Sequence, residues 1–154
     1  MIQRIQSVFL FFAAALLSGQ FALPYYTATQ GANSGNVSFN MPPALADGQL
    51  NPLDNIGLLG LTILGIATSL SAIFLFKNRP LQGRIAGVSG AVTIMLTVLA
   101  GIVFYQTEQQ VPTSAGGAFG FGLVLPVIAI VLQVMAQRAI KKDEQKVRSM
   151  DRLR

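Results

Sequence analysis

The sequence predicts an all-α membrane protein of four transmembrane helices with both chain ends on the cytoplasmic side. Three observations carry this. Four long runs contain no Asp, Glu, Lys or Arg. All eleven Lys and Arg fall at Arg4, at Lys77, Arg79 and Arg84, or in the tail from Arg138 to Arg154. The connections over residues 24–55 and 106–117 carry no cation at all. Basic residues in short loops stay on the cytoplasmic side during insertion, so the ends and the middle turn are expected inside and the two cation-free loops outside. Charged residues make up 11% of the chain, against roughly 25% in a soluble domain. At 154 residues the chain is expected to be a single domain, 1–154.

The first run, Ile5 to Leu23, has nineteen residues and is closed by Pro24. At about 1.5 Å per residue it just spans a hydrocarbon layer of roughly 30 Å. The alternative is a cleavable signal peptide with Arg4 before it and Ser18 and Gly19 near a cut. The run is longer than the usual signal core of about 7–15 residues, which favours a retained span. Tyr25 and Tyr26 follow, and such amphipathic rings are expected as interfacial anchors.

Residues 25–55 form the first outer loop. It is polar, with a turn-rich centre from Gln30 to Asn36, and Tyr25–Thr29 is expected to pair with Val37–Met41 as a short β-hairpin. Pro42, Pro43 and Pro52 break regular structure before the second span, and Asp54 or Asn55 is placed to cap it. That span, 56–76, is rich in Gly, Ala and Ser. Small residues let helices approach closely in lipid, so Gly60 is assigned to helix packing.

Lys77 to Arg84 reads as the cytoplasmic turn. The third span, 85–105, begins with Gly83, Gly87 and Gly90 at small-xxx-small spacing, a packing face. After the second outer loop, with Glu108 as its one charge, the fourth span covers 118–136. Gly116 and Gly120 at its start are assigned to packing, and Pro126 inside it is expected to kink the helix. Gln133 and Gln137, one turn apart, are expected to hydrogen-bond across helices at about 0.6–2 kcal/mol.

The tail 138–154 lacks Gly and Pro and carries Glu144 four before Arg148, a helix-supporting pair. A cytoplasmic extension of the fourth helix is therefore expected. Ile140, Val147, Met150 and Leu153 form a narrow apolar stripe which, with Arg148 and Arg152 beside it, is the candidate partner contact; the alternative is that it lies on the bilayer surface.

Composition narrows the chemistry. The chain has no His, Cys or Trp, so it lacks the commonest metal ligand, the neutral-pH proton shuttle and any thiolate. No titratable Asp, Glu, Lys, Arg or His lies inside a span, where functional membrane sites normally place one. No catalytic residue, cofactor or metal site is assigned, and the cations flank apolar runs instead of forming a nucleic-acid stripe. Asp47, Asp54 and Glu108 could gather only as an outer acid cluster.

Both ends carry distinctive text: Met1-Ile2-Gln3-Arg4-Ile5-Gln6-Ser7-Val8 at the start, and Ala139-Ile140-Lys141-Lys142-Asp143-Glu144, Val147-Arg148-Ser149 and Asp151-Arg152-Leu153-Arg154 at the finish. With these motifs the whole chain resembles a family of short four-helix inner-membrane proteins from Bacteroidota with no assigned function, a domain of unknown function. The resemblance implies a bacterial cytoplasmic membrane, four spans and a role for the tail, and it supplies no activity. The expected function is a non-enzymatic accessory subunit, assembly factor or scaffold in a larger inner-membrane complex, respiratory or secretory, with lipid and other membrane subunits as partners. The alternative is a small transporter or lipid-handling protein with its site near the kinked fourth helix.

Overall fold

A computed structural model describes residues 2–28, 49–75, 78–110 and 117–151. Four helices dominate: α1 Ile2–Gly19, α2 Ile56–Phe74, α3 Arg79–Gln110 and α4 Val124–Asp151. Three short strands, β1 Tyr26–Ala28, β2 Gln49–Leu50 and β3 Gly117–Phe119, and short 3-10 turns at Pro52–Asp54 and Phe121–Leu123 join them. α1 packs on α2 and α4, and α3 packs on the same two, so the order around the bundle is α1, α2, α3, α4.

Local chemistry explains the boundaries. α2 starts where the Asn55 side chain accepts from the backbone N–H of Gly57 at 2.9 Å and of Leu58 at 3.4 Å, satisfying donors the first turn leaves unpaired. Asp54 does not cap α2; its carboxylate accepts from the Asn51 N–H at 2.6 Å. α3 begins at Arg79, with Gln82 N–H donating to the Asn78 carbonyl at 2.9 Å. The middle connection is thus confined to residues 75–78, and Pro80, Gly83 and Arg84 belong to the first turns of α3. Pro80 in a first turn removes no helical hydrogen bond.

Three helical stretches are long and apolar enough to cross a membrane: Ile56–Phe74, Pro80–Gln109 and Phe121–Gln145. The apolar part of α1, Ile5–Gly19, is shorter, about 22 Å at the helical rise. The chain leaves helical geometry at Gln20, short of the expected end at Leu23. α4 continues without a break from the apolar run into the charged tail.

The first outer loop differs from expectation. β1 occupies the expected first arm, but it is the centre of a three-stranded antiparallel sheet in the order β2-β1-β3. Tyr26 pairs with Leu50 on one side and with Phe119 on the other. Residues 37–41, the expected second arm, lie outside the described residues. The Gly-rich start assigned to the fourth span is therefore strand β3, sewn to β1 by backbone bonds from Gly120 N–H to the Tyr25 carbonyl at 2.9 Å and from Gly122 N–H to the Pro24 carbonyl at 3.1 Å.

Tyr25 and Tyr26 are 0% and 4% exposed, which corrects their reading as interfacial anchors. Their rings pack inward: Tyr26 meets Phe104 edge to face at 5.7 Å, and Phe104 meets Phe119 the same way.

The core is small and its polarity is inverted. Its helix-borne residues are mostly alanine and leucine, in two clusters. One, at the sheet end, includes Ala13, Leu17, Tyr25, Leu58, Leu96, Ala100 and Ala129; the other, at the turn end, includes Leu10, Ala72, Ala86, Ala136 and Ile140. Buried with them are Gln6, Gln20, Thr62, Ser69, Gln82, Ser89, Thr93 and Gln133. The outward faces carry Phe11, Phe12, Ile63, Phe74, Met95, Val98, Ile102 and Val131.

Candidate functional site

Between the two core clusters lies a layer of polar side chains. On α2, Ser69 falls between Leu58 and Ala72; on α3, Ser89 and Thr93 fall between Ala86 and Leu96; on α4, Gln133 falls between Ala129 and Ala136. All four polar residues are fully buried. The Gln133 amide nitrogen lies 3.2 Å from the Ser69 hydroxyl, 2.9 Å from that of Ser89 and 3.0 Å from that of Thr93. The two serine hydroxyls are 2.7 Å apart, and Thr93 donates back to the Ser89 carbonyl at 2.9 Å.

One amide with two hydrogens facing three hydroxyl oxygens joins α2, α3 and α4 at a single level. The Gln133 carbonyl oxygen has no partner among the described residues. Nothing in the layer titrates, so it offers hydrogen bonding and register, not proton transfer.

A second polar group closes the sheet end. The buried Tyr25 hydroxyl donates to the Gln20 side-chain oxygen. Burial pushes the phenol up to about 12, against a weaker opposing hydrogen bond from Thr62. Tyr26 is raised as well, by burial first and by the negative charge of Glu108 second.

At the opposite end a pocket of about 310 Å³ opens between the start of α3 and the far part of α4, lined by Pro80, Gly83, Arg84, Gln137, Ile140, Lys141 and Glu144. The glycine stripe sets its depth. A methyl group at Gly87 would stand 3.4 Å from the Gln137 amide nitrogen, and one at Gly83 would stand 3.5 Å from the Ile140 side chain. α3 therefore lies close against α4 along Gly83, Gly87 and Gly90, with Gln137 laid over the upper part.

The other assigned packing glycines fall differently. Gly60 faces open space, with no helix against it among the described residues. A methyl group at Gly120 would lie 2.0 Å from the Pro24 carbonyl oxygen, so this glycine serves a close backbone approach to the loop after α1, not helix packing. Gly116 lies outside the described residues. Pro126 is buried near the start of α4, just after the 3-10 turn Phe121–Leu123, and so lies at the beginning of the helix and not in its interior.

Ile140 also leaves its assigned stripe. It is 3% exposed and packs on Leu10, Ala72, Ala86 and Ala136, because α4 remains part of the bundle one turn beyond the expected end of the span. The side chains of Val147, Arg148 and Met150, and all of Arg152 and Leu153, lie outside the described residues. The same holds for Asp47. Asp54 is engaged at the 3-10 turn and Glu108 is exposed near the end of α3.

Ser69, Ser89 and Thr93 escaped the sequence reading as partners of Gln133. The available signal was Ser69 in the second run, Ser89 and Thr93 in the third and Gln133 in the fourth at matching depth, among other hydroxyl residues of the same runs.

No curated protein matches the chain. Residues 2–153 match the family described as Domain of unknown function (DUF4293), and the chain belongs to that family.

Proposed function

We propose that the protein is a multi-pass protein of the bacterial cytoplasmic membrane, crossing four times with both termini inside. In this reading it works without catalysis, as an accessory subunit, assembly factor or scaffold that packs against a larger respiratory or secretory complex. The observation that carries the reading is the inverted polarity: hydroxyls and amides inside, Phe, Ile, Met and Val outside. In water an exposed apolar surface of this extent marks a membrane or protein contact, and in lipid the buried hydroxyls and amides hold helices together.

α1 crosses in this reading with help from Phe21, Ala22 and Leu23, which are exposed and extend its apolar surface beyond the helix end. Mild mismatch of this kind is absorbed by local thinning of the bilayer at modest cost. Cations at one edge of the spans and none in the connections at the other edge support the cytoplasmic placement of the 75–78 connection and of α4's far end.

The alternative of a transport or lipid site beside the start of α4 requires a cavity there. Pro126 and Gly122 are buried, and Gly120 and Gly122 leave no room for a methyl group against the Leu23 and Pro24 carbonyls. No observation favours that reading.

The test is isolation of the tagged full-length chain from bacterial membranes in mild detergent, followed by mass spectrometry of what travels with it. Stoichiometric recovery of membrane subunits is expected. A monodisperse chain with no companion would overturn the accessory role, and protease protection that puts residues 30–50 on the same side as Arg84 would overturn the topology.

A further inference from the structure

We infer that the pocket at the turn end binds the phosphate of an anionic phospholipid, with the lipid's acyl chains lying along the outer faces of α3 and α4. The inference rests on the membrane reading above and not on the identity of any partner.

The pocket brings together two cations from different helices, Arg84 on α3 and Lys141 on α4, against one acid, Glu144. Neither cation has an ion-pair partner among the described residues, and both are exposed. The guanidinium offers a planar fork that matches phosphate oxygens bidentately, and the ammonium adds a point charge. Pro80, at the mouth, belongs to the first turn of α3, whose positive dipole end adds to the same field.

The floor is neutral and already filled: Ile140 is buried and Gly83 lies against it. The charges therefore sit at the rim, and the volume of about 310 Å³ is at the lower end of small-molecule sites. A headgroup fits such a space without entering the bundle.

What selects a lipid over a free anion is the surface next to the cations. One turn deeper on α3 from Arg84, at i+4, is Val88, and one turn deeper on α4 from Gln137, at i−3, is Val134; both are exposed. Met95 on α3 and Val131 and Val127 on α4 continue these apolar faces toward the middle of the bundle. A charged rim at one end of an apolar wall has the polarity of a phospholipid, and its position at the edge of two membrane-length helices is the depth of a headgroup.

The experiment uses the full-length chain purified in neutral detergent, supplied with phosphatidylglycerol and phosphatidylcholine in equal amounts and read by native mass spectrometry. The wild-type protein is expected to retain phosphatidylglycerol over phosphatidylcholine by about thirtyfold, the scale set by two membrane-near cations. The R84Q/K141Q double variant is expected to lose that preference while keeping its lipid-free melting temperature. Equal retention of both lipids by the wild type, or an undiminished preference in the double variant, overturns the inference.

Glu144→Gln removes the one acid and provides a second route if the double variant does not fold. A stronger phosphatidylglycerol preference supports the site, and no change overturns it. Competition with inorganic phosphate separates the two sources of the anion. Displacement of the lipid by phosphate at equal concentration would make this a free-anion site and overturn the lipid claim, while retained lipid supports it. Partner recovery in the membrane isolation is read separately, so failure of either result leaves the other standing.

Discussion

The two ends of the bundle use glycine for opposite purposes. At the sheet end, Gly120 and Gly122 lie under the backbone carbonyls of Leu23 and Pro24, at distances where no methyl group fits. At the turn end, Gly83, Gly87 and Gly90 face the side chains of Ile140 and Gln137 at ordinary van der Waals range. The first end is joined by backbone hydrogen bonds and has no slack. The second is held by side-chain contact and opens into a pocket. Close backbone approach is therefore found at the end without cations, and ordinary side-chain contact at the end where the charge gathers.

The contrast is broken most directly at Gly120. Gly120→Ala forces a methyl group onto a backbone carbonyl that cannot rotate away, and a loss of about 3 kcal/mol is expected, measured by thermal unfolding in detergent. Gly83→Ala at the other end should be neutral or stabilising by up to about 1 kcal/mol, since it meets only normal contact and gains helix propensity. Equal losses at both positions would erase the distinction.

Gln133→Leu, midway between the ends, should cost about 1 kcal/mol. Interhelical hydrogen bonds in membrane proteins average less than that each, and the Ser69 and Ser89 hydroxyls still bond one another without it. A loss several times larger would make the polar layer, not the sheet, the main restraint.

A further effect is confined to alkaline pH. The Tyr25 phenol is raised in the folded chain to about 12 from 10.0, so both states are protonated below 10 and its contribution to stability is complete there. Above 10 the unfolded chain loses the proton first and folded stability falls as pH rises toward 12. Tyr25→Phe should flatten this alkaline slope in unfolding midpoints measured across that range. A slope unchanged in the variant would assign the alkaline loss to other groups.

The four helices were legible because each is an uncharged run bounded by charge, Pro or an Asn cap, and these signals are local. The sheet was not. Its strands are two or three residues long, its central strand pairs with segments about 20 and 90 positions away, and the glycines of 116–122 read equally well as helix packing in lipid. The placement of Pro126 shifted for the same reason, since a helix that starts at Val124 instead of about Ala118 moves the proline from the interior toward the helix start.

Ile140 was misplaced because a stripe at spacings of seven and three looks alike whether it faces a partner or the chain's own core; only the presence of Leu10 and Ala72 beside it decides. Of the candidate site, Arg84 and Lys141 were visible as cations but not as neighbours, since they are separated by more than fifty residues and meet only once α3 and α4 pack.

The position of β1 at the centre of its sheet has a consequence for biogenesis. The strand is made soon after α1, yet one of its flanks is completed only when residues 117–119 have left the ribosome, after α2 and α3. Its backbone groups on that side remain without their final partners until α2 and α3 have been made and β3 follows them. Closure of this seam thus marks the arrival of the chain as far as β3, and a product truncated before residue 117 would display an unpaired strand edge for quality-control proteases to recognise.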